Sequence, residues 1–155
     1  LDELGHAQGQ VKRVTKRLED LSRAERHRAA ATVMRGVPGV GLVTAMTFRL
    51  ELPEPERFDD AGQVARMTGL APMVRQSGAT RREGGLIRSS SARLRTALVE
   101  AAWRWVACDE AAKAVYRRLV GNTGSGKEAI VGVARRLGVL LWRLSGRGEP
   151  YRAAA

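Results

Sequence analysis

The chain has 155 residues and a formal net charge of +11, from 27 Lys and Arg against 16 Asp and Glu. That length makes one domain with an appended element, and that charge points to a phosphate-rich partner, nucleic acid above all. One cysteine, Cys108, excludes an internal disulfide, the histidines His6 and His27 form no metal-ligand cluster with it, and no apolar run reaches the roughly 20 residues of a membrane span. Arg outnumbers Lys 23 to 4, a bias that suits bidentate phosphate contacts and that a GC-rich genome also produces. The N-terminus has neither an initiator Met nor a signal-peptide pattern, so the chain reads as a piece of a longer cytoplasmic protein.

In chain order, residues 2–22 should form a long helix. Leu4, Val11 and Leu18 make one apolar row and Ala7, Val14 and Leu21 another, a two-row seam of coiled-coil type. The seam fits a homo-oligomer through residues 1–22 and equally an amphipathic helix packed on its own domain. A second helix covers Ala24 to Arg35 and is broken by "GVPGVG" at 36–41, where three glycines and a proline cannot continue it. Helical spacing resumes in "LVTAMTFRLEL", "PEPERF" is a loop, and Asp59 or Asp60 caps a short helix that stops near Gly69.

Residues 71–90 lack a helical period and predict a short basic loop or β-hairpin insert. Helices follow from Ser91 to Ala107, through "DEAAKAVYRRLV", and from about Lys127 to Ser145. The fold class is all-α: a helical domain containing a helix-hairpin-helix, the small insert, and a coiled-coil-like N-terminal helix.

Three stretches carry candidate chemistry. In "VPGVGLVTA", a tight Gly-x-Gly turn between helices leaves amides facing outward, and Gly39, Val40 and Gly41 are candidates to hold a DNA phosphate, the glycines letting the duplex approach. This element resembles the helix-hairpin-helix of DNA-binding proteins; a plain structural turn is the alternative. In "QSGATRREGGLIRSSSARLR", Arg75, Arg81, Arg82, Arg88, Arg93 and Arg95 surround the pliable segment at Ser77, as neutralising groups around a hydroxyl nucleophile would, although no base is evident. Ser89, Ser90 and Ser91 compete as hydroxyl candidates, one of them as a helix cap. "GNTGSGKEA" at 121–129 imitates a nucleotide-binding loop, but helical sequence precedes it and Glu128 stands where a magnesium-binding hydroxyl belongs. It reads as a flexible helix-to-helix link, with Lys127 available to a nucleic-acid phosphate.

The blocks "GVPGVGLVTAMTFRLEL", "RFDDAGQVARMTGLAPMVRQSG", "GGLIRSSSARLRTALVEAAW", "AIVGVARRLGVLLWRL" and "GEPY" occur in the order and spacing of a bacterial insertion-sequence transposase family. The chain resembles the C-terminal domain of the Piv/MooV-type enzymes, which join an N-terminal RuvC-like domain of four acidic residues to a serine-bearing domain. The resemblance spans residues 31–152, and residues 1–30 resemble the family's coiled-coil linker. It implies DNA transposition and recombination, guided in some members by a bridge RNA, with Ser77 matching the serine that becomes covalently joined to DNA. It also implies Mg2+ at the RuvC-like domain, which is absent from this chain, so that no cofactor is expected here and the isolated fragment should bind DNA without turnover. Two departures stand out. Met73 and Val74 replace a charged pair, and Arg88, Ser89, Ser90 and Ser91 replace a Lys-x-Gly-Asn run. A non-enzymatic DNA- or RNA-binding module accounts for the charge and the turn as well.

Overall fold

A computed structural model describes the backbone at residues 2–77, 80–86 and 91–153, and side chains at 3–71 and 91–153. The elements run α1 (Asp2–Arg23), α2 (Glu25–Arg35), α3 (Leu42–Glu51), a 3-10 turn (Pro55–Arg57), α4 (Ala61–Met67), β1 (Pro72–Ser77), β2 (Thr80–Leu86), α5 (Ala92–Cys108), α6 (Glu110–Thr123) and α7 (Gly126–Arg147). The fold is all-α, and its insert is a two-stranded antiparallel hairpin.

Helix α7 is the axle. Its buried residues Ile130, Val133, Ala134, Leu137, Leu141 and Leu144 recur at three- and four-residue intervals, and α2, α4, α5 and α6 pack around it. Each fully buried Leu or Val there stabilises the fold by about 1.5 to 3 kcal/mol. Gly138 faces α5: a Cβ at that position would lie 3.4 Å from Leu98 Cδ1, about ordinary van der Waals contact. Trp142 fastens the 3-10 turn to α7 by donating its indole N–H to the Pro55 carbonyl at 2.8 Å.

Local chemistry sets the helix ends. Asp60, Ser91, Asp109 and Ser125 each accept a hydrogen bond from an amide three residues on. Ser91 is thereby a cap, which settles its role among the three neighbouring serines. Asp109 terminates α5 and starts α6; its other oxygen accepts from the Tyr151 hydroxyl at 2.6 Å. Burial alone would raise the Asp109 pKa, but the bonds from Tyr151 and the amides of Ala112 and Ala111 outweigh it and hold the carboxyl below its usual range. Burial and the same bond push the Tyr151 phenol up.

"GNTGSGKEA" is less of a link than its glycines suggest. Gly121, Asn122 and Thr123 continue α6, Gly124 ends it at φ +67°, and Ser125 caps α7. A two-residue connection with both ends capped is an ordered corner, so the expectation of a flexible segment is corrected.

Helix α1 packs on α2 and α3, and its buried residue Ser22 lies near its C-terminal end. Leu4, Val11 and Val14 of its seam are each more than 60% exposed (63%, 65% and 62%), while Leu18 and Leu21, nearer the body, are half-buried.

Candidate nucleic-acid interface

The turn between α2 and α3 is built from its own hydrogen bonds. The amides of Gly36, Val37 and Val40 donate to the carbonyls of Val33, Met34 and Val37. Val40 is 5% exposed and points into the core. It anchors the turn; with its amide engaged and its side chain inside, it is not a contact residue. Gly39 also differs from expectation. It sits at φ +84°, and a Cβ there would lie 2.7 Å from the Trp105 amide nitrogen and 3.0 Å from the Ala101 carbonyl. The missing side chain admits helix α5, not a duplex.

Gly41, by contrast, faces outward. It is exposed, has extended backbone, and a Cβ would meet nothing within 4 Å. As the N-cap of α3 it brings no side chain to cap the helix, so the first-turn amides of α3 lack the partner that Asp60, Ser91, Asp109 and Ser125 supply at other helix starts. Val43 beside them is 61% exposed. Arg35 and Arg104 flank a groove of about 640 Å³ along this turn, whose one acid is Glu100. Among the described residues neither arginine is in an ion pair. A helix dipole with open amides and two unpaired guanidinium groups is an anion-accepting surface.

The remaining candidates are dispersed. The hairpin register makes Arg75 the partner of Arg82, Gln76 that of Arg81, and Ser77 that of Thr80. Arg88 lies outside the described residues. Arg93 is exposed and pairs with Glu51 at 3.5 Å, tying the start of α5 to the end of α3, while Arg95 is half-buried two residues further along α5. Lys127 stands exposed on the first turn of α7 and lines neither this groove nor the larger cleft below. Among the described residues no three His, Cys, Asp or Glu side chains gather where they could hold a metal ion. No described helix is long and apolar enough to cross a membrane.

Sequence reasoning missed Arg35 and Arg104, which flank the turn from different elements. It also missed a group on α7 and the tail: Arg135, Arg136, Arg143 and Arg152. The α7 members could have been found, because they fall on the face opposite the buried Val133, Leu137 and Leu141 stripe.

These features define a class: an all-α domain with a basic turn at an uncapped helix start. The chain belongs to the IS116/IS110/IS902 transposase family, whose model matches residues 31–117. It is 31% identical over 121 residues to y4qE of Sinorhizobium fredii (strain NBRC 101917 / NGR234), covering 78% of this chain and 31% of that protein. To y4rJ of the same strain it is 33% identical over 102 residues, 63% of this chain and 26% of the other. It is 25% identical over 155 residues to the transposase for insertion sequence element IS1111A of Coxiella burnetii, covering 98% of this chain and 40% of that protein. The chain thus spans about a third of the length of the curated relatives it matches.

Proposed function

We propose that this domain seats DNA for a transposase and contributes Ser77 as the nucleophile of strand cleavage and rejoining. The observation that carries the DNA-binding part is the uncapped start of α3 at Gly41, flanked by Arg35 and Arg104. A phosphate there accepts the free amides and meets two guanidinium groups, contacts that fix position on the duplex without reading sequence.

The nucleophile assignment rests on the match of Ser77 to the family's serine and on its place at the end of a hairpin bearing Arg75, Arg81 and Arg82. The register opposes Arg75 to Arg82, like charges in paired positions, which a bound phosphate would relieve. In the cleavage step a Ser77 Oγ–phosphorus bond forms as one deoxyribose–phosphate bond breaks. The serine proton passes by way of a general base to the departing deoxyribose oxygen, which leaves as a hydroxyl available for rejoining. The RuvC-like half with its Mg2+, a guide RNA, and pairing of two copies through α1 complete the proposed assembly.

For the 155-residue chain the test is duplex binding at low salt, falling steeply as salt rises; no measurable binding overturns the reading. For the complete protein, Ser77→Ala should remove the covalent protein–DNA adduct, and an adduct that survives places the nucleophile elsewhere.

A further inference from the structure

A cleft of about 830 Å³ opens where α5, α6, α7 and the C-terminal tail meet, away from the Gly41 groove. Val115, Leu119, Val139 and Leu140 line it with apolar surface, and Trp105 and Tyr151 contribute aromatic wall. The wall is rigid. Tyr151 is tied to buried Asp109 by its hydroxyl, and its ring meets that of Trp105 in an edge-on contact, centroids 6.4 Å apart.

Four arginines stand around this cleft: Arg135, Arg136, Arg143 and Arg152, all exposed. None is in an ion pair among the described residues. Arg136 and Arg143 are seven residues apart on α7, about 10 Å along its axis, so a strand following α7 meets a cation at each end of the apolar floor.

Apolar floor and cationic rim together select the occupant. A duplex presents phosphates but hides the faces of its bases, and the Gly41 groove, with amides and no aromatic residue, matches that surface. An unpaired strand presents both phosphates and base faces, the combination that single-strand-binding sites recognise with aromatic and cationic side chains. We propose that this cleft holds an unpaired segment of DNA, with a base on the floor between Leu140 and the Trp105–Tyr151 wall and its flanking phosphates on Arg136 and Arg143. The proposal rests on reading the domain as DNA-handling and adds a second site with a different substrate form.

The test uses the whole chain in fluorescence anisotropy with two labelled probes: a blunt duplex, and an oligodeoxythymidylate of about 15 nucleotides, the reach of a single-strand-binding module. Leu140→Trp fills the floor and keeps every charge; Arg136→Ala/Arg143→Ala removes the rim, and circular dichroism checks that both variants fold. Each should weaken the single strand about tenfold or more while Leu140→Trp leaves the duplex within about threefold, because stacking on the floor is denied only to unpaired bases. Single-strand binding indifferent to both variants, or equal losses on both probes with Leu140→Trp, overturns the site. An oligouridylate of the same length bound tenfold more tightly overturns its assignment to DNA. A labelled acidic amphipathic peptide that alone responds to Leu140→Trp assigns the cleft to a protein and likewise overturns it. Intact duplex binding with indifferent single-strand binding sinks this inference alone, whereas absence of duplex binding sinks the functional reading beneath it.

Discussion

Gly41→Asp separates what the α2–α3 turn does for the fold from what we propose it does for DNA. An aspartate there has room, since nothing lies within 4 Å of the new Cβ, and the extended backbone at Gly41 is open to any residue. Its carboxylate would accept from the α3 first-turn amides, as Asp60 does from Gln63 and Asp109 does from Ala112. The gain of a capping side chain over glycine is a few tenths of a kcal/mol, and the charge at the helix start adds about 0.3 to 1 kcal/mol. The variant should therefore be more stable by roughly 0.5 to 1 kcal/mol, raising Tm by about 1 to 4 °C for a chain of this size. The same carboxylate occupies the phosphate position and repels the phosphate itself. Losing even one charge-assisted hydrogen bond, about 1.5 to 3 kcal/mol, lowers duplex affinity roughly tenfold to a hundredfold. The slope of log affinity against log salt should shrink by about one contact, 0.9. Thermal melts and anisotropy titrations at several salt concentrations read both effects. A stabilised variant that binds duplex like the parent refutes the placement of DNA at this turn, and a destabilised one refutes the account of the open amides.

Gly39→Ala should do the reverse: left-handed backbone and the contact with α5 together cost about 2 to 4 kcal/mol, seen as a lower Tm. Asp109 is depressed in the fold, so its stabilising contribution is complete above the unfolded carboxylate range near 3.9 and is lost as pH falls through the lower folded value. Asp109→Asn should accordingly be less stable than the parent at pH 7, by urea unfolding, with the gap closing in acid. His27 is buried with neither ring nitrogen hydrogen-bonded among the described residues, and burial, Arg26 and Arg49 lower its pKa. The neutral ring is the folded form, so the parent is fully stabilised above the unfolded value near 6.5 and loses stability as pH drops through the folded value. His27→Leu should remove that loss, leaving unfolding free energy flat between about pH 7 and 5 where the parent declines.

The helices were legible because their signals are local. The α7 stripe from Ile130 to Leu144, the Asp60 cap and the break at 36–41 each need only a window of a few residues. The α6–α7 corner was legible too: Ser125 with Glu128 three positions on is the spacing of a capping box, and Gly124 fits a helix C-terminus. The glycines drew attention away from it. What the sequence could not carry was which surface each glycine serves. "GVG" is the same pattern whether a duplex or a neighbouring helix comes near, and only the packing of α5 distinguishes Gly39, which faces protein, from Gly41, which faces outward. Distance along the chain hid the rest. Arg35 and Arg104 line one groove from 69 positions apart, and Tyr151 reaches Asp109 across 42.

Both sites depend on one short stretch of α5. The backbone of Ala101–Trp105 is the surface on which Gly39 rests, and the side chain of the same Trp105 forms wall in the cleft between α6 and α7. Arg104, next in line, flanks the Gly41 groove. A helix is stiff along its axis, so these contacts would fix the distance between the proposed duplex seat at Gly41 and the proposed strand path along α7. Two rigidly spaced sites bind one DNA molecule more tightly than either alone only if its paired and unpaired parts are separated by that same distance. The domain would then favour a partly opened DNA over an intact duplex by geometry, without reading a base.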